Sequence, residues 1–182
     1  MRKKLAVASL SLFALVVGTA ILAHEERALR VPNGLVFSEF RGFEGWQLIA
    51  ISQNHGKFAA ILGNPVIIAA YRSGVPLNGE SFPNGSKIAK IHWIPKTRDT
   101  QPGDPIVPGT LHDVDFMVKD GERFRDSGGW GWAAFEYQVK SGTFRPANSS
   151  DSPPQENDAR CGYACHTIAR SHDFVFTEYA RR

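Results

Sequence analysis

The chain has 182 residues, a length that fits one domain, and 42% of them are apolar, enough to build a core. Its formal charge of +3 belongs to the N-terminus: residues 1–23 carry three of the 21 basic residues and none of the 18 acidic ones, which leaves 18 of each in the remainder. A balanced body of this kind offers no basic surface, and no nucleic-acid partner is expected.

Arg2, Lys3 and Lys4 precede an apolar and small-residue run from Leu5 to Leu22, and Ala23 offers a small residue for cleavage. The pattern predicts a bacterial-type export signal over 1–23, with an uncleaved membrane anchor as the alternative for so long a run. Residues 24–182 then form a single domain. His24 to Asn33 is polar and predicts a short helix or arm. Phe37, Phe40 and Phe43 recur every three residues, as in a helical turn packed on the core or a loop lining a pocket. Trp46–Ser52 and Lys57–Leu62 read as two strands joined at Asn54-His55-Gly56, an antiparallel hairpin. Asn64-Pro65 supplies an N-cap followed by proline at the first helical position, and Gly74 ends that helix.

Gly85 to Ile94 alternates as a strand. Ile88, Lys90, His92 and Ile94 share one face, and Lys87, Ala89, Ile91 and Trp93 share the other. One face must be largely buried, so a lysine stands near the core either way. Pro95 to Gly109 reads as a proline-bearing surface loop, and Leu111–Lys119 as a strand. Glu122–Asp126 is expected to form one helical turn. Ser127-Gly128-Gly129-Trp130-Gly131-Trp132 sets glycines among tryptophans, which suggests backbone close to something flat and large, a planar group or another aromatic. A strand continues to Val139, and Thr143-Phe144-Arg145 begins a return. Ala147–Ala159 is rich in Ser, Pro, Asn and Asp and reads as a loop. The predicted class is α+β, mainly antiparallel sheet with a few short helices, the last of them carrying the chemistry described next.

That helix contains Cys161-Gly162-Tyr163-Ala164-Cys165-His166, with the only two cysteines of the chain. Two cysteines followed by histidine form a c-type haem attachment signal: each thiol adds across a vinyl group and the imidazole coordinates the iron. Three residues separate the cysteines here instead of two, and helical positions i and i+4 still present both thiols to one face. A short-loop disulfide, or two ligands of another metal, are the alternatives the residues leave open. Thr167–Ser171 is expected to continue the helix, and Asp173–Tyr179 to pack an aromatic tail.

With these elements in order, the chain resembles the cytochrome P-460 family. The resemblance rests on Phe40-Arg41-Gly42-Phe43-Glu44-Gly45-Trp46, on Asn64-Pro65 with Ala70-Tyr71-Arg72, and on Phe82-Pro83-Asn84-Gly85-Ser86-Lys87-Ile88-Ala89-Lys90. It continues in Asp115–Asp120, in Ser127-Gly128-Gly129-Trp130-Gly131 and in the terminal cysteine motif with Phe174-Val175-Phe176, and so spans about residues 35–180. It implies haem c bound through Cys161 and Cys165, with His166 as the iron ligand. In the hydroxylamine-oxidising members a lysine is also bonded to the porphyrin; by motif this is Lys90, with Lys87 as the register-shifted alternative. A related branch, the β-sheet cytochromes c-prime, lacks that bond and binds nitric oxide or carbon monoxide. The resemblance therefore implies a periplasmic redox protein acting on a small nitrogenous ligand or substrate at a five-coordinate haem. A non-catalytic gas-binding or electron-transfer cytochrome is the other reading. A periplasmic electron-transfer cytochrome is the expected redox partner and a homodimer the expected assembly. Met1 and Met117 are not expected as a sixth ligand. Asp113, Asp115 and Glu136 are candidates for a carboxylate that accepts a proton, and His92, on the Lys90 face, is expected to be structural.

Overall fold

The computed structural model describes residues 29–147 and 159–180, the side chains of 159–162 excepted. The predicted signal or anchor and most of the loop before the cysteine motif lie outside the described residues. Among those described, no helix is long and apolar enough to cross a membrane.

Among the described residues, six strands form one antiparallel sheet in simple sequential order: β1 (Gln47–Asn54), β2 (Lys57–Gly63), β3 (Lys87–Thr97), β4 (Ile106–Lys119), β5 (Trp130–Gln138) and β6 (Thr143–Pro146). Helix α1 (Pro65–Arg72) connects β2 to β3, and α2 (Ala159–His166) follows the sheet. The α+β expectation, mainly antiparallel with short helices and a C-terminal helix, holds.

Local chemistry explains the elements. His55 and Gly56 both have positive φ, 48° and 70°, the left-handed pair that joins two twisted strands in a two-residue hairpin. The Asn64 side chain accepts from Ile67 N at 3.2 Å and caps α1. The same oxygen accepts from Lys87 N at 3.0 Å, so one side chain ties the helix start to β3.

The two faces of the sheet differ. On one, Ala89, Ile91, Val114, Phe116, Val118 and Phe135 are buried beneath the 3-10 turns Phe37–Phe40 and Phe43–Gly45. Phe40 stacks on Phe116 with ring centroids 4.1 Å apart, so the Phe37, Phe40 and Phe43 series packs a core. The register lays the other face out in rows. Gly63, Ile88, Met117 and Trp132 face one another across β2–β5; next come Ile61, Lys90, Asp115 and Ala134; then Ala59, His92, Asp113 and Glu136. The rows pass from apolar to titratable within three steps.

Three local expectations are corrected. The proline-bearing segment read as a loop is largely strand: β3 runs through Pro95 to Thr97 and β4 begins at Ile106, with Pro95 opposite Pro108. This extension lies beyond the pairings of β2 and β5, where a missing N–H costs the ladder least. The turn expected over Glu122–Asp126 is a 3-10 turn at Arg125–Ser127. The segment after the cysteine motif does not continue α2 as one helix: Thr167–His172 is 3-10 and is kinked at Ala169, whose φ of -98° and ψ of 23° are not helical. The glycine–tryptophan stretch meets aromatic rings: a Cβ on Gly131 would lie 2.4 Å from the Phe124 ring, and one on Gly128 2.3 Å from the Phe174 ring.

Candidate functional site

The site is built from the chain reversal after α2. Asp173 and Phe174 have φ of 48° and 64° and turn the chain back over the sheet. Asp173 is buried and holds this reversal. Its carboxylate accepts from Phe82 N at 2.8 Å and from Lys119 Nζ at 2.7 and 2.9 Å, a buried pair with its hydrogen bonds filled. Gly128 leaves room for the Phe174 ring. The Phe174 carbonyl thereby reaches His166, whose Nδ1 donates to it at 2.6 Å. The imidazole lies between Trp132 and Phe176, with ring centroids 5.2 and 4.9 Å away.

This arrangement fixes the state of the histidine. With the proton on Nδ1, Nε2 keeps its lone pair for a metal. Burial pushes the His166 pKa down, the Phe174 hydrogen bond opposes this, and the nearby Lys90 charge adds to the lowering. The ring is therefore held neutral, the form that ligates a metal.

A cavity of about 320 Å³ lies against His166. Its wall brings together Lys90, Asp115, Cys165 and His166 among the apolar residues Ile61, Ile88, Met117, Trp132, Val175 and Phe176. Lys90 and Asp115 stand directly opposite each other on β3 and β4. Lys87 belongs to the other face: its Nζ donates to the Glu39 carbonyl at 2.6 Å and lies 5.6 Å from the centre of the Phe40 ring. Cys165 is exposed at the cavity edge. Cys161 lies four residues earlier in α2, and its side chain is outside the described residues. Met117, read from the sequence only as a mid-strand residue, lines the cavity.

A second cavity of about 340 Å³ adjoins the first and shares Lys90 and Asp115 with it. Its wall is polar, with Ser52, Lys57, His92, His112, Asp113 and Glu136. His92 sits here, bonded through Nδ1 to Asp113. Glu136 is paired with Arg145 at 2.6 Å. Of the three carboxylates considered from the sequence, Asp115 alone lines the cavity that holds His166.

A family model described as cytochrome P460 matches residues 40–177, most of the chain. The chain belongs to the cytochrome P460 family. Comparison with curated proteins finds no match. Membership makes the chain a c-type haem protein, with haem c as its prosthetic group. The residues fit that group: a neutral imidazole with Nε2 available, a cysteine beside it and apolar walls form a suitable donor set and lining. Sequence reasoning did not find Trp132 and Phe176 as the flanks of His166, nor Met117 in the wall. The strand alternation that separates Lys90 from Lys87 was readable. The pairing of β3 with β4 that sets Met117 and Asp115 beside Ile88 and Lys90 was not, because it depends on a long-range register.

Proposed function

We propose that this protein is an exported, periplasmic haem c protein acting on hydroxylamine or a related nitrogen oxide at a five-coordinate haem. Cys161 and Cys165 are the attachment thiols, His166 is the iron ligand, and Lys90 forms the additional link to the porphyrin. The observation that supports this reading is the cross-strand pair Lys90 and Asp115 in the wall of the cavity that holds His166 and Cys165. Haem c, when bound, supplies an iron centre that takes a small ligand and exchanges electrons.

The side chains have separable tasks. His166 is oriented by Phe174 and kept neutral by burial. Lys90 carries its amine on the cavity side of β3, whereas Lys87 is occupied on the opposite face. Asp115 is the carboxylate positioned to accept a proton from an N–H or O–H of the substrate, and it opens onto the polar cavity behind it. A small periplasmic cytochrome would take up the electrons, and a homodimer formed through the sheet is the proposed assembly. The apolar majority of the wall favours a second reading, a gas-binding cytochrome that holds nitric oxide or carbon monoxide without turnover.

Peptide mass mapping and the ferrous absorption spectrum separate the two. On the first reading the haem peptide carries the β3 peptide with it, and the ferrous Soret band is displaced far to the red. Lys90→Ala abolishes both effects and keeps haem on the cysteine peptide. An ordinary five-coordinate c-type spectrum with no β3 adduct favours the gas binder, and an adduct lost in Lys87→Ala but retained in Lys90→Ala refutes the assignment of the lysine.

A further inference from the structure

The polar cavity has a construction of which the haem reading uses only Asp115. His92 and Asp113 are direct partners on β3 and β4, and Asp115 lies two residues along the same face. Between Asp113 and Leu111 the ladder slips, so that His112 has no partner on β3. Such a bulge re-aims a side chain, and here two consecutive residues, His112 and Asp113, reach the same cavity. The two oxygens of Asp113 are divided between different partners. Oδ2 accepts from Lys57 Nζ at 2.9 Å and contacts His112 Nδ1, whereas Oδ1 faces His92 Nδ1. Asp113 is itself buried, with 9% of its surface exposed. One donor atom from each of His92, Asp113 and Asp115 lies within 4.8 Å of the others. Across β1 and β2, in the row that contains His92 and Asp113, the Ser52 hydroxyl is shielded from solvent and has no hydrogen-bond partner among the described residues.

We propose that this cavity binds one divalent first-row transition ion of the zinc or manganese class through His92 Nδ1, Asp113 Oδ1 and one carboxylate oxygen of Asp115. One imidazole and two carboxylates suit such ions and leave coordination positions open. Lys57 and His112 are then outer partners: by holding Oδ2 they keep Oδ1 turned toward the ion. The ion takes the place of the Nδ1 proton between His92 and Asp113, and a neutral His92 then carries its proton on Nε2. Because Asp115 lines both cavities, the ion would lie beside the haem site. The proposal does not depend on the Lys90 link or on the substrate.

Calorimetric titration of the haem-loaded full chain with Zn²⁺ tests the site, and the same titration with Mn²⁺, read by electron paramagnetic resonance, gives a second measure. One equivalent should bind. His92→Ala and Asp115→Asn should each weaken binding by more than tenfold, and His112→Ala by about tenfold, the loss usual for an outer partner. His172→Ala, on an exposed residue outside the cavity, should change nothing. Asp115 is partly exposed, so Asp115→Asn should keep its far-ultraviolet circular dichroism and remain interpretable if His92→Ala misfolds. Absence of saturable binding, undiminished affinity in Asp115→Asn, or an equal loss in His172→Ala would overturn the proposal.

Discussion

The two faces of the sheet come from the same strands yet serve different ends. On the closed face, Val114, Phe116 and Phe135 are at most 1% exposed and pack beneath Phe40 and Phe43. On the open face, neighbouring residues of the same strands, Asp113, Asp115 and Lys90, line two adjoining cavities. Alternation along a strand makes this economical, since one backbone positions the core with one parity and the chemistry with the other. It also makes adjacent residues differ sharply in what their substitution should do.

Phe116 and Asp115 provide the largest contrast. Phe116→Ala removes a ring stacked on Phe40 and in edge contact with Phe43 and Phe135, and should cost about 3–5 kcal/mol in denaturant unfolding. Asp115→Asn, one residue away and partly exposed, should cost about 1 kcal/mol or less while altering whatever chemistry the cavity performs. Equal losses at the two positions would show that the open face is also a structural core and would remove the distinction.

Gly131 tests the closed face from the opposite direction. It pairs with Val118 on β4, and an added Cβ would lie 2.4 Å from the Phe124 ring. Gly131→Ala should therefore destabilise by overpacking, about 1–3 kcal/mol. Replacing Phe124 by leucine in the same chain should recover part of that loss. If Gly131→Ala alone were neutral, the closed face would be looser than its contacts indicate.

These contrasts bear on what the sequence could tell. Alternation in Lys87–Ile94 sorted Lys90 from Lys87, and Asn64-Pro65 and His55-Gly56 marked a helix start and a turn through local chemistry that needs no tertiary knowledge. The position of His166 against Trp132 and Phe176 was hidden, because it depends on a reversal held by Lys119 and Asp173, 54 residues apart. The polar cavity was hidden for a related reason. The bulge that brings His112 beside Asp113 is a mismatch between two strands, and neither strand alone records it.

The smallest effect lies in that cavity and concerns acid. Burial alone would raise the Asp113 pKa, but hydrogen bonds from His92 and Lys57, the His92 charge and the His112 contact outweigh it and hold the carboxyl well below the usual carboxylate range. A carboxyl lowered in the folded state binds fewer protons than its unfolded counterpart. Its contribution is therefore complete above the unfolded pKa of about 4 and is lost as the pH falls further. Thermal unfolding measured from pH 6 downward should show stability declining below about pH 4, and Asp113→Asn should flatten that decline. Phe116→Ala should lower the whole curve and leave its slope unchanged, because it removes apolar contact without touching a titrating group. If both variants kept the wild-type slope, the acid sensitivity would belong to other carboxylates, and the open face would lose its claim to be where this fold responds to protons.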